Sequence, residues 1–268
     1  MPELQPIALP FHNGAPDAGM AAGVTAVAEA LGLRPDVVPP VDPALPEVRR
    51  SIELDLRLAE RVRAAAAGGA FPLVLAGNCN SCLGAVGGVG SQGLGVVWFD
   101  AHADFDTPED NVSGFFDVMA LSTLTGSAWQ AQRARITDPV AEEDVVLAGV
   151  RDLEPYQRER LARSRLRVVH GALDGLEAAL DALPTPRVYL HLDLDALDAG
   201  EGAANGYAAA GGPTLTRYLD AVDAVFDRFA VAAAALTSYD PATDADGRAL
   251  RAACALVERV VERVCAAA

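Results

Sequence analysis

A chain of 268 residues, 51% hydrophobic and 22% charged, is long enough to bury one substantial core. Its formal net charge of −16 argues against nucleic acid or an anionic membrane surface as a partner. The chain contains no lysine, which excludes Schiff-base, pyridoxal phosphate and Walker-A chemistry.

Taken in order, the pattern predicts a strand at residues 5–9, a helix at 18–31, a weaker strand at 36–38, a helix at 47–67 and a strand at 71–75. Strands follow at 95–99 and 145–148, then a helix at 157–162 and strands at 166–169 and 187–192. A helix at 214–229, a strand at 230–236 and a helix at 247–265 complete the series. The Pro-rich stretch 34–46 reads as a surface connection. Alternating strands and helices mean parallel βαβ units, with the sheet covered on both faces. In such sheets ligands bind beyond the carboxyl ends of the strands. No internal repeat or dividing linker is visible, so residues 1–268 are expected to form a single domain. Four cysteines are too few for a disulfide framework, no leader opens the chain, and no apolar run reaches membrane-spanning length. A soluble, cytoplasmic protein is expected.

Two acidic clusters stand at strand ends. Asp100-Ala101-His102-Ala103-Asp104 follows the apolar run 94–99, and Asp193-Leu194-Asp195 follows 188–192. In an extended chain alternate side chains share a face, so Asp100, His102 and Asp104 converge, as do Asp193 and Asp195. Carboxylates gathered this way repel one another unless cations separate them, and such a donor set suits hard or borderline divalent ions such as Mn²⁺. A lone acid after a strand, such as Asp152 or Asp198, reads instead as a turn former or cap.

These motifs resemble the arginase/agmatinase family of ureohydrolases. Leu9-Pro10-Phe11-His12-Asn13-Gly14 with Ala18-Gly19 and Gly23 resembles the family's opening. Residues 75–80, ending Gly77-Asn78-Cys79-Asn80, stand where the family has Gly-Gly-Asp-His-Ser, and Asp100 to Asp104 match its Asp-Ala-His-x-Asp. Ser113-Gly114-Phe115-Phe116-Asp117 partly matches Ser-Gly-Asn-x-His. Gly149-Val150-Arg151-Asp152, Asp193-Leu194-Asp195-Ala196-Leu197-Asp198 and Gly211-Gly212 complete the series. The resemblance implies a three-layer α/β/α fold with a parallel sheet of about eight strands. It implies two divalent metal ions, Mn²⁺ by preference, bridged by Asp100 and Asp193. One site is completed by His102 and Asp195, and the other by Asp104 and Cys79. Cys79 replaces a histidine, a change that resembles the hydroxyarginine-hydrolysing branch and admits Zn²⁺ or Fe²⁺. The bland alternative for Cys79 is a small buried apolar residue. Family members assemble as trimers or hexamers, so a homo-oligomer is implied.

The substrate side departs from the family. Its guanidinium-gripping glutamate becomes Ser238, in Ser238-Tyr239-Asp240-Pro241, and its relay histidine becomes Asp117. With Asp104, Asp117 is the candidate catalytic residue, able to move protons if burial raises its pKa. Asp106, Asn111, Ser113, Phe115 and Glu154, beside Gln157, occupy head-group positions, and Tyr207 with Phe115 would line the mouth with aromatic surface. The reading is a binuclear metallohydrolase of a C–N bond in a small guanidino, amidino or related compound, with a metal-activated water as nucleophile and a substrate other than plain arginine. The alternative is a catalytically degenerate relative that serves as a binding, structural or regulatory subunit. A deacetylase-like hydrolase would want tandem histidines, and no His-His pair exists. His12 follows the first strand and could reach the pocket, though a surface or capping role is the expectation. His170 is expected in a structural turn, and His191 as a satisfied core histidine with a supporting donor to the site as the alternative. Cys82 is expected to pack the following helix.

Overall fold

The structure, a computed structural model, describes residues 3–12, 14–16 and 19–266. Asn13 and Ala18 of the opening motif lie outside the described residues. The strands are β1 (Leu4–Leu9), β2 (Asp36–Val37), β3 (Phe71–Ala76), β4 (Leu94–Phe99), β5 (Val145–Val150), β6 (Arg167–His170), β7 (Arg187–Asp193) and β8 (Ala230–Thr237). They form one sheet in the order β2-β1-β3-β8-β7-β4-β5-β6, with every pairing parallel. The helices are α1 (Met20–Ala30), α2 (Glu47–Ala67), α3 (Cys82–Val89), α4 (Ala120–Thr125), α5 (Gln130–Arg133), α6 (Pro155–Arg163), α7 (Leu176–Asp181), α8 (Leu215–Phe226) and α9 (Arg248–Ala266). The three-layer parallel fold expected from the sequence is the fold observed.

Strands β3, β4 and β5 are buried along their whole length, so they read as continuous apolar runs rather than as alternating ones. Their alternate side chains feed two separate cores. Val96 and Trp98 pack with Ile52, Leu58 and Val62 of α2 and Leu83 of α3. Val97 and Phe99 face the opposite layer, with Val24 of α1, Tyr218 of α8 and Leu256 of α9. Leu256, Val260 and Val264 are buried in that second core, so the apolar stripe of α9 packs inward.

Four helices carried too weak a pattern to be predicted, and α3 shows why. Its sequence holds three glycines, poor helix formers. They are there for close approach. A Cβ on Gly84 would stand 2.8 Å from the Leu58 Cβ, and one on Gly88 would stand 2.4 Å from Val62 Cγ1. Packing against α2 outweighs helix propensity here.

The order of strands positions the site. The chain fills β3, jumps to β4, and only later inserts β7 and β8 between them. The carboxyl ends of β3, β8, β7 and β4 are therefore neighbours, and their following loops bound one crevice.

Candidate metal centre and cavity

Each of these four strands delivers donors to the crevice. Cys79 opens a single 3-10 turn after β3, Asp100 follows β4, Asp193 ends β7, and Ser238 follows β8. The two acidic motifs converge as expected, though not by strand alternation. The chain turns immediately after Phe99. The Asp100 carboxylate accepts the backbone N–H of His102 at 2.7 Å, and Asp104 takes a left-handed φ of 47°. Likewise Asp193 caps a 3-10 turn by accepting the Asp195 N–H at 2.9 Å. Short acid-capped turns, rather than an extended chain, gather the carboxylates.

Two groups of donor atoms lie within 4.8 Å of one another along the expected lines: Cys79 with Asp100 and Asp104, and Asp100 with His102 and Asp195. A third group joins Cys79 and Asp193 to His191. His102 Nδ1 stands 3.3 Å from Asp100 Oδ1 and 3.5 Å from Asp195 Oδ2. The Cys79 thiol donates to Asp193 Oδ2 at 2.8 Å, and the hydroxyls of Ser238 and Thr237 donate to the same oxygen. Asp100, Asp104, Asp193 and Asp195 are all buried, with Asp104 the most exposed at 7%.

Burial is the leading cause of the raised pKa values at Asp100, Asp104 and Asp193, reinforced by neighbouring carboxylates. Burial and the surrounding acids push the Cys79 thiol up as well. Asp195 behaves differently. Against burial, the facing His102 and the Asn205 amide hold it down at about 2. His102 is raised in return, since Asp195 and Asp100 outweigh its burial. So many carboxylates without matching positive side chains hold protons or cations, and this oxygen-rich set with one imidazole and one thiol fits divalent ions.

Several supports were not legible in the sequence. Trp98 Nε1 donates to Asp100 Oδ2 at 2.9 Å, and Asn205 Nδ2 donates to Asp195 Oδ2 at 3.0 Å. Gly149, at φ 100° beside a register shift in β5, turns the chain so that Arg151 points back under the site. The Arg151 guanidinium donates to the carbonyls of Gly149, Asp195, Ala196, Leu197 and Ala209, fastening the turn that carries Asp195. The motif Gly149-Val150-Arg151-Asp152 signalled importance without revealing this task.

A cavity of about 360 Å³ opens over the donors. Of the expected substrate-side residues, Ser113, Phe115, Asp117, Tyr207 and Ser238 line it. Asp106, Asn111 and Glu154 do not, and each is occupied elsewhere. The Asp106 carboxylate accepts Tyr156 Oη and Gln157 Nε2, both at 2.9 Å. Asn111 braces the loop that presents Ser113 and Phe115. Glu154 is the N-cap of α6, in a capping box with Gln157. The Ser238 hydroxyl is engaged with Asp193 rather than free in the cavity. His12, expected by preference at the surface, lines the cavity and stacks against Phe115 with centroids 6.1 Å apart and planes 25° apart. Phe115 in turn stacks on Tyr207 at 6.1 Å. His191 is fully buried, with its ring nitrogens at hydrogen-bond distance of Tyr189 and Thr237.

Asp117 is held by amides. Asn78 Nδ2 donates to it at 2.6 Å, and both the backbone and the side chain of Asn80 donate at 2.9 Å. Burial raises its pKa and these donors restrain it, leaving it at about 6. The two asparagines were missed because neither is titratable, and only their position flanking Cys79 marked them.

This fold and donor set define a parallel α/β protein with candidate metal-ligand groups at its topological switch point. The chain matches the Arginase family over residues 37–262. It is 27% identical over 218 residues to the arginase of Staphylococcus aureus (strain COL), covering 77% of this chain and 72% of that one. It is 30% identical over 223 residues to the arginase of Brevibacillus brevis, covering 78% and 74%. Its structure superposes on that of Bacillus caldovelox arginase with a TM-score of 0.80 and 26% identity, over 97% of this chain and 98% of that one. The arginase of Bacillus subtilis gives a TM-score of 0.82 at 24% identity, over 96% and 98%. This chain belongs to the arginase family and is an arginase-family hydrolase. Among the described residues no helix is long and apolar enough to cross a membrane.

Proposed function

We propose that this chain is a binuclear metal-dependent hydrolase that cleaves a C–N bond in a small guanidino, amidino or related compound other than plain arginine. The convergence of Cys79, Asp100, His102, Asp104, Asp193 and Asp195 at the ends of adjacent strands carries the proposal. Cys79 and Asp104 would hold one ion and His102 and Asp195 the other, with Asp100 and Asp193 shared. Two bound divalent cations, Mn²⁺ by preference with Zn²⁺ or Fe²⁺ admitted by the thiol, supply Lewis-acid polarisation and an activated water.

The remaining chemistry belongs to side chains of the cavity. Asp117 faces it with a carboxyl raised to about 6, close enough to neutrality to take up a proton and pass it to a leaving nitrogen, although it is mostly ionised at pH ~7. The Asn78 and Asn80 amides fix that carboxyl in one orientation. His12, Phe115 and Tyr207 wall the cavity with rings that displace water and accept a flat group. Ser238 offers no charge to a guanidinium, and its hydroxyl is already committed. A less basic or substituted terminal group, such as a hydroxyguanidine, ureido or amide-like group, therefore suits the wall better than a plain guanidinium. Resemblance to the family also supports a cytoplasmic homo-oligomer, trimer or hexamer, acting on a small molecule.

The test combines elemental analysis after Mn²⁺ or Zn²⁺ loading with a hydrolysis screen across guanidines, hydroxyguanidines and amides. Two tightly bound ions per chain and turnover of one of these classes are expected. No divalent ion above background would end the proposal in favour of the degenerate binding-protein reading.

A further inference from the structure

We infer that His191 is a ligand of the metal centre, completing with Cys79 and Asp193 a sulfur, nitrogen and oxygen donor set for a borderline ion such as Zn²⁺. The inference rests on the metallohydrolase reading above and adds a residue that the family resemblance does not place there.

Three observations carry it. First, a ring nitrogen of His191, the Cys79 sulfur and an Asp193 oxygen all lie within 4.8 Å of one another. His191 precedes Asp193 by two in β7, so both project from the same face of the strand. Second, the imidazole is fixed in place. It stacks on Trp98 with centroids 3.6 Å apart and planes 14° apart, because Trp98 and His191 are register partners across β4 and β7. Third, the far nitrogen already has the partner that a ligand histidine needs. His191 Nδ1 lies 2.9 Å from the Tyr189 hydroxyl, a hydrogen bond that can run in either direction according to the tautomer; with the proton on Nδ1 the hydroxyl accepts it and the Nε2 lone pair is left for a cation. Nε2 faces the Thr237 hydroxyl at 3.3 Å, and that hydroxyl also touches Asp193 Oδ2 at 3.2 Å and Cys79 Sγ at 3.4 Å. The nitrogen is thus aimed at the two other donors, with one small hydroxyl between them.

The donor chemistry sharpens the choice of ion. Cys79 with Asp100 and Asp104 mixes one soft donor with hard oxygens. Cys79 with His191 and Asp193 is a set that Zn²⁺ or Co²⁺ favours over Mn²⁺. An imidazole supplied from β7 offsets the one that the β3 end lacks.

The competing role is indirect, with His191 only orienting Asp193 through Thr237. Cobalt loading separates the two. The wild-type chain is expected to retain two Co²⁺ ions and to show a thiolate-to-cobalt absorption band that Cys79→Ser abolishes. His191→Asn should lower affinity at that site by more than the roughly 10–100-fold seen for outer-shell partners, and should remove the band. Thr237→Val should keep both ions and the band. Retention of both ions and the band in His191→Asn overturns the inference, as does a Thr237→Val variant that reproduces the His191→Asn loss. Should His191→Asn fail to fold, zinc X-ray absorption of the wild-type chain decides instead. Two imidazoles per two ions support the inference, and a single imidazole overturns it. A wild-type chain that takes up no cobalt refutes the metallohydrolase reading itself, an outcome distinct from the others.

Discussion

Stripping divalent ions should make stability fall as pH rises from 5 to 8, and restoring them should reverse the effect. In the ion-free chain Asp100, Asp104, Asp193 and Asp117 bind protons more tightly when folded, mainly because burial penalises their charged forms. Their stabilising contribution is complete below the ordinary carboxylate pKa of about 4 and is lost as pH rises through the folded values. For Asp117 that folded value is about 6. A displacement of about two units makes its share on the order of 3 kcal/mol, gone by about pH 8. His102, also raised, acts in the same direction on the alkaline side. Asp195, held down at about 2, stabilises above pH ~4 and loses that only in stronger acid, so it leaves the 5–8 window flat. Cations take over the role of the protons. At a free concentration of 100 times Kd each bound ion adds about 2.7 kcal/mol, and two raise Tm by roughly 10–20 °C for a chain of this size. Thermal denaturation followed by circular dichroism, with and without Mn²⁺ or Zn²⁺ at each pH, measures both effects. A stripped chain equally stable at pH 5 and pH 8, or a loaded chain no more stable than a stripped one at pH 8, would refute the reasoning.

Asp117→Asn should lower kcat by about 10²–10⁴-fold on any substrate found while leaving the bound-ion count unchanged, as elemental analysis would verify. An undiminished rate would remove Asp117 from the chemistry. Arg151→Met strands five backbone carbonyls and should cost about 3 kcal/mol or more in urea denaturation, with weaker retention of the ion near Asp195. Gly84→Ala forces a methyl to 2.8 Å from Leu58 and should destabilise by about 1–3 kcal/mol despite a better helix propensity. A gain in stability would mean that α2 and α3 separate at little cost.

The sequence and the structure agree where periodicity or titratable groups mark the chain. Among the described residues, seven of the eight strands stand out as apolar runs because both sheet faces are covered, whereas the two-residue β2 gives only a weak signal. The candidate metal donors were legible because several acids crowded into one short motif repel one another unless a cation sits among them. Residues whose role depends on partners distant in sequence were not. Arg151 acts on carbonyls around residue 196, and Asn205 reaches Asp195 across a loop with no periodic pattern. Asp106 and Glu154 failed the other way. An acid at a head-group position has the same appearance in sequence whether it meets a substrate, a tyrosine or a helix N-terminus.

The departures around the site make physical sense together. Where the family pattern has aspartate and histidine, this chain has Asn78 and Asp117, and the two side chains meet at 2.6 Å. One negative charge is kept by that pair, moved from the β3 turn to the opposite wall. Cys79, as a thiolate, adds a charge where a neutral imidazole stands in the family, and Ser238 removes the one that a glutamate carries there. Over these four positions the formal charge is therefore unchanged, but it has shifted from the substrate clamp to the donor set. On the metallohydrolase proposal, divalent ions would gain a more anionic seat, which would bind them more tightly at close range. The substrate loses the clamp carboxylate, and the Asp117 carboxylate on the wall is already taken up by Asn78 and Asn80, so a guanidinium left without a close partner in such a cavity would cost several kcal/mol. On that proposal the redistribution that would strengthen the metal centre also disfavours a plain guanidinium, so neutral analogues should bind this cavity better than cationic ones of equal size.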